Sequence, residues 1–508
     1  MFKKMGKSSL MVLFVAVFVL VSFAAVQAQD DYVNDLQDEV EGTLFGADAD
    51  GLEGEISFTP QNYYAPETYP NSSEMVTELV EKYKKIHPDI NIDLIELPSN
   101  ESDSRTWLTT RMTANRAPEI AWEQYYKKWE QAKNNWWLPL DSFLELPNPY
   151  VEDGKPGSER WKNLIPDFVW NETRSPQGKQ YQLTLDWVET GLYYNKEIFN
   201  EVGVSADWDN WEDFLADLGK LQEAGYQTPI GVFILPGWST YQWADDLVMS
   251  SVWEDKVADF YMDKYNIPEG TSRTLTQEEF AKAVYDGGFS TSDPRFDAFL
   301  DIMKEWSQYW GEGFTSGSQS QNYQNFISGR LPMYWGGSWD MMNVSQEAQF
   351  DYGVTYLPEI TEETSEYASG KIYRVGGPSG AAQYGIPLQV AEEGKLRETI
   401  DFLMFWSAQQ NSGKLISESM MFLPIAEGVE ADPQMASFQE VAALPIRLFP
   451  DPIGRLTSRG GNDYDRVMQN FLLGDIEKSE AKEMLQEIME STVEELGLKY
   501  SDEWNWYE

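Results

Sequence analysis

Cysteine is absent from this 508-residue chain, histidine occurs once, and lysine and arginine together number 38 against 84 aspartates and glutamates. Without cysteine there is no disulfide, no thiol nucleophile and no thiolate metal site, so the fold must be held by its core. The one histidine, His87, stands before Pro88 at the end of a predicted helix and reads as an exposed imidazole, on which any Ser-His chemistry would depend. The HExxH pattern is missing, and Gly376-Gly377-Pro378-Ser379-Gly380 lacks the lysine and spacing of a phosphate loop. No metal site and no cofactor is expected. The formal net charge of −46 argues against nucleic acid as a partner. Nor do the carboxylates point to a glycosidase, because in so acidic a chain paired acids arise everywhere and only geometry distinguishes a catalytic pair.

What the chain does contain starts with Lys3, Lys4 and Lys7, an apolar run over 10–25, and small residues up to Ala28. This is the pattern of a secretory signal peptide over 1–28, cleaved after Ala28. A membrane anchor is the alternative, but the run is shorter than the roughly 20 apolar residues of a spanning helix and no basic flank follows it. Cleavage would make the mature chain more negative still. The acids are scattered over nearly every predicted helix, which favours a solvated surface adapted to high external salt over attraction to a cationic ligand or plain solubility. With 42% hydrophobic and 14% aromatic residues the chain can fill large cores, and its length predicts two or three domains.

Residues 29–52 form an acidic leader without an apolar face, expected to be mobile or loosely docked. Its Asp48-Ala49-Asp50-Gly51 lacks the first and last ligands of a calcium loop. From Glu55 the pattern alternates: a strand at Ile56-Ser57-Phe58, a helix over 74–86, a strand over 90–97, a helix over 107–115 and a strand over 119–122. Such an order builds a parallel sheet wrapped by helices, with ligands at the carboxyl ends of its strands. Further helices are predicted over 396–408 and 476–496, and 261–292 reads as a polar, acidic insertion without a role.

The segment 191–231 is the most specific. Leu192-Tyr193-Tyr194 is a β-run, Asn195-Lys196 a break, Ile198 and Phe199 open a short helix that stops near Gly203, and Trp211, Phe214, Leu215, Leu218 and Leu221 recur at helical spacing before Gly225. A strand over 231–235 follows. The order LYYNK, W-[DE]-[DE]-[FL] and Gly-x-x-Pro-Ile resembles the extracellular solute-binding proteins of ABC sugar importers, the maltose-binding-protein-like group. RAPEIAWEQ at 116–124, FISGRLPMYWGGSWD at 326–340 (with Pro332 where alanine is commoner) and DYGVTYLP at 351–358 followed by Val375-Gly376-Gly377 are similar to further blocks of that family, in its order. The resemblance spans nearly the whole mature chain.

It implies a type II periplasmic binding-protein fold: two α/β lobes joined by a hinge of several crossovers, with the ligand cleft between them. The implied division is 53–188 plus 373–412 for the first lobe and 189–372 plus 413–508 for the second. Lacking a cysteine to carry lipid, such a protein would be kept near its cell by a Gram-negative periplasm.

A sugar site needs flat aromatic faces for the C–H patches of pyranose rings and polar groups in the ring plane for the hydroxyls. The chain has 20 tryptophans. Trp339 follows Gly336-Gly337-Ser338, where the family commonly places a stacking aromatic; the bland alternative is packing against the next helix. Trp122, Glu123 and Gln124 end the third predicted strand, and Asp186, Trp187 and Glu189 lie at the first implied crossover; plain packing competes for both sets. Trp238 and Trp243 lie in a predicted loop over 237–243, and Gln61, Tyr63 and Tyr64 follow the first strand. Gly377, with Gly376, is placed for close backbone approach at the return crossover, and Trp136-Trp137 reads as core. The function implied is that of a non-enzymatic receptor for a carbohydrate, expected to be an oligosaccharide: a monomer that captures the sugar and delivers it to the subunits of an inner-membrane ABC permease. A peptide, polyamine or other cationic solute is the alternative ligand, and a secreted glycan-degrading enzyme the alternative class.

Overall fold

In a computed structural model, residues 45–98, 101–132, 134–175, 177–265 and 273–507 are described; the expected signal peptide, most of the acidic leader and the middle of the 261–292 segment lie outside them. The chain forms two compact units. The first holds the described residues up to Asp186, together with Ala381–Leu415 and Ile425–Val429; the second holds Trp187–Gly380, Ile416–Pro424 and the residues from Glu430 onward.

The first unit is built on the alternation seen in the sequence. Strand Gly54–Phe58 pairs in parallel with Ile90–Leu94, setting Ile56 opposite Ile92. Ile56, Phe58, Ile90 and Ile92 point inward while their neighbours stay wet, the period of two that a half-buried strand requires. Phe58 bridges to Ile120, which leads into Ala121–Trp122. That short strand pairs antiparallel with Gln383–Gly385, and Gln383–Gly385 pairs antiparallel with Leu183–Thr184. One reversed strand is thereby inserted in an otherwise parallel sheet. Phe58 meets the edges of Tyr384, Phe402 and Trp406 with ring centroids 4.8–5.6 Å apart.

Helix Pro70–Ile86 begins a turn earlier than predicted, because proline suits the first helical position, and its Val76, Val80 and Tyr83 share one buried face. His87 caps its end but is 4% exposed, so the expectation of an exposed imidazole is corrected. Its Nε2 lies 2.8 Å from the Tyr150 hydroxyl and 3.5 Å from Asp401, which accepts hydrogen bonds from Tyr83 and Tyr150. Burial lowers the pKa of His87, against the pull of Asp401. The described end of the leader is tied to the same place: the Gly46 N–H donates to Asp401 at 2.7 Å, and Arg397 donates to the Asp50 carbonyl.

In the second unit the strand order is Ile230–Gly231, Met333–Gly337, Thr190–Asn195, Tyr352–Thr355, with Thr190–Asn195 antiparallel to both neighbours. Asn195 ends its strand and caps helix Lys196–Val202 by accepting from the Glu197 and Ile198 N–H groups. Helix Trp211–Glu223 follows, capped by Asn210. Helix Thr240–Phe260 is buried on nearly every side, so Tyr241, Gln242 and Trp243 stand on its first turn, where the sequence reads as loop. The predicted strand over 231–235 is only Ile230–Gly231.

The 261–292 segment is no polar decoration. Thr276 and Glu279 form a capping box for helix Gln277–Tyr285, whose Phe280, Ala281 and Val284 enter the core, and Phe289 lies 4.4 Å from the Trp253 ring. Charge hid this packing, since Glu279 is itself buried against Arg273. Among the described residues no helix is long and apolar enough to cross a membrane, and no three acidic or histidine side chains converge as metal ligands.

Candidate functional site

Three of the predicted aromatics come together in the second unit. Trp243 lies edge-on to Trp238 at 5.7 Å and to Trp339 at 6.1 Å, and is backed by Trp335 at 5.5 Å. Trp238 is 51% exposed and Trp339 half-buried, while Trp335 is completely enclosed. The group is a rigid aromatic step with one open ring. The adjacent glycine makes room for the ring: a Cβ on Gly337 would fall 2.2 Å from the Trp339 indole, which folds back over it. Asp340, just beyond, accepts from the Tyr334 hydroxyl at 2.8 Å and from the Gly337 N–H; burial pushes its carboxyl up to about 6. Gln242 donates to the Gly237 carbonyl, closing the Trp238 loop.

Trp187, Glu189 and Gly377 form a second group in this unit, and the carboxylate there is fully engaged. Glu189, wholly buried, accepts from the Trp187 indole N–H at 2.6 Å and from the Gly376 N–H at 3.1 Å. The Arg374 guanidinium covers the Trp187 ring at 4.5 Å and donates to the Leu444 and Gly376 carbonyls. Val188 and Gly377 exchange both backbone hydrogen bonds. Glu189 thus fixes the orientation of the Trp187 indole. A Cβ on Gly376 would lie 2.0 Å from the Val188 carbonyl, so Gly376→Ala must push the two segments apart. An expected loss of about 2–3 kcal/mol would show as a lower unfolding midpoint; an unchanged midpoint would refute the tight crossing.

In the first unit, Trp122, Glu123 and Gln124 end the strand Ala121–Trp122 and are all buried. Arg105, on helix Glu101–Thr113, reaches Glu123 Oε1 at 3.4 Å and donates to the Gln124 side chain. Tyr63 and Asp186 meet: the buried phenol donates to Asp186 Oδ2 at 2.9 Å, which also accepts from the Ala381 and Ala382 N–H groups. Burial raises the Asp186 carboxyl to about 7 in spite of these donors. Gln61 and Tyr64 flank Tyr63 and are half-buried. Arg105, Arg374 and Asp340 are absent from the candidates that the sequence suggests. Only Asp340, one residue past Trp339, carries a signal there; Arg105 acts on Gln124, 19 positions on, and Arg374 on Leu444, 70 positions on, as well as on nearby Gly376.

Two α/β units, each a parallel sheet with one reversed strand, define the architecture of a two-domain solute-binding protein. Residues 78–444 match the family model described as bacterial extracellular solute-binding protein, and the chain belongs to that family. Three solved structures share the fold. The GacH receptor of Streptomyces glaucescens is 16% identical, with 87% of this chain and 99% of that chain covered and a TM-score of 0.59. RafE from Streptococcus pneumoniae is 16% identical over the same shares, with a TM-score of 0.58. A family 1 extracellular solute-binding protein from Bifidobacterium longum subsp. infantis is 16% identical, covering 87% of this chain and 100% of that chain, with a TM-score of 0.55. A sequence search against curated proteins finds no match.

Proposed function

We propose that the protein is a carbohydrate receptor: it captures an oligosaccharide outside the inner membrane and passes it unchanged to an ABC-type permease, without catalysing a reaction. The observation that carries this reading is the aromatic step of Trp238, Trp243 and Trp339, whose open Trp238 ring is a stacking surface of the kind sugar rings use. The relatives agree with it: RafE is described in complex with raffinose, and GacH in complex with acarbose. In the first unit, taken by itself, Trp122, Glu123, Gln124, Tyr63 and Tyr64 are the candidate contact residues in this reading. The signal-like 1–28 segment and the lack of a lipid-bearing cysteine support a periplasmic location, where the receptor acts as a monomer.

The test is titration of the mature protein, followed by tryptophan fluorescence and calorimetry, with mono- and oligosaccharides, peptides and polyamines. One glycan series should saturate and be recovered intact. Trp238→Ala should weaken that binding about 30-fold or more at an unchanged unfolding midpoint, since the ring is half in water. Response to polyamines or peptides alone would replace the ligand class, and glycan cleavage would overturn the receptor.

A further inference from the structure

Lys128 has no role in this receptor so far, yet it is wholly buried at the edge of the first unit's candidate face. It lies on helix Tyr125–Ala132, which starts directly after Gln124, and its side chain folds back beneath the strand end. Nζ donates to the Glu123 carbonyl and, at 3.2 Å, to the Gln383 carbonyl. The Gln383 carbonyl also accepts from the Glu123 N–H, at 3.4 Å. One ammonium therefore bolts the end of Ala121–Trp122 to the reversed strand Gln383–Gly385, which pairs Tyr384 with Trp122. The aliphatic stem has no slack: the missing Cβ of Gly385 would lie 2.7 Å from Lys128 Cε, and Nζ is 5.1 Å from the centre of the Trp137 ring. Burying an ammonium is costly, and a simple hydrophobe would fill the space.

We propose that Lys128 is a positioning residue for ligand capture, holding residues 122–124 in the geometry that meets the ligand. This rests on the proposed reading of those residues as a contact face. Burial pulls the Lys128 ammonium down to about 7, so the bolt changes charge near neutral pH. Among the described residues the charged group facing it is Glu123, which favours the ammonium, with Arg105 on the far side of Glu123. Gln383 and Gly385 bring a carbonyl and a bare Cα, and Trp137 an aromatic face, none of them charged.

Two readouts on the full mature chain test this. Amide hydrogen exchange of 121–124 should speed up about tenfold in Lys128→Met, where the Glu123 carbonyl loses its donor. Lys128→Gln, which keeps a donor, should recover part of the protection. The affinity of the wild-type protein for its best glycan should fall about tenfold between pH 6 and pH 8.5, as a charge-assisted bond becomes a neutral one, and should stay flat in Lys128→Met. Unchanged exchange in both variants, or a flat wild-type pH profile, would overturn the assignment. If Lys128→Met does not fold, Lys128→Gln and the wild-type profile decide. If no glycan binds at all, the receptor reading fails by itself, and hydrogen exchange still decides whether Lys128 holds the strand end.

Discussion

Arg455→Met is expected to lower the stability of the second unit by about 3–5 kcal/mol, more than any other single change proposed for this chain. Arg455 is 1% exposed, donates to Asp245 and to the Pro450 carbonyl at 3.1 Å, and lies over the Tyr464 ring at 5.1 Å. Asp245 accepts in addition from Tyr241 at 3.0 Å and Tyr464 at 2.8 Å, and neighbouring Asp246 accepts from Arg447. Both aspartates are fully buried. Methionine would fill much of the volume but leave Asp245 without its cation, and an uncompensated buried carboxylate is what makes such a change expensive. Two tyrosine donors soften the loss without replacing the charge. Chemical denaturation followed by circular dichroism measures it. A loss below about 1 kcal/mol would mean that the network is far more hydrated than its burial implies.

Asp465→Asn acts in the opposite direction, because Asp465 is the odd acid of the same network. It is completely buried on helix Ser458–Leu473, and neither carboxylate oxygen has a well-formed hydrogen bond among the described residues. Burial first, then the charge of Asp245, pushes its carboxyl up to about 8, against the pull of Arg455, Gln242 and the Gly237 backbone. Between about pH 4 and pH 8 the folded chain therefore holds a proton that the unfolded chain has released. Its share of the stability is intact below pH 4 and falls as the pH rises through that window. A tenfold difference in proton affinity is worth about 1.4 kcal/mol; with relaxation around the ionised group, about 2–4 kcal/mol would be lost by pH 9. Asparagine has no proton to lose. The variant should match the wild type near pH 4 and be increasingly more stable above pH 6. Parallel unfolding midpoints from pH 4 to pH 9 would refute the account.

Local structure was legible wherever near neighbours decide it. The run Leu192-Tyr193-Tyr194, the break at Asn195 and the stop at Gly203 appear in the structure as strand, cap and helix end, because a cap answers to groups two or three residues away. The site was legible only in residue type. That Trp238, Trp243 and Trp339 share one step depends on helix Thr240–Phe260 meeting the strand Met333–Gly337, about a hundred residues downstream. The 261–292 segment reads as polar because its buried glutamates mask an apolar face: Glu279 is neutralised by Arg273 and Glu278 by Lys264.

By itself, then, the sequence determined the alternation of strands and helices, the absence of thiol chemistry, the acidic composition, and the order of blocks that marks the family. Tertiary structure alone decided which polar groups remain free to act. Glu189 is held by Trp187 and Gly376, His87 is enclosed beside Asp401, Lys128 is pinned to two carbonyls, and Asp465 is left without a good donor among the described residues. The reason is physical: a charge takes its energy from its desolvation and from partners within a few ångströms, and here those partners come from residues as many as 355 positions away, as Gly46 and Asp401 do.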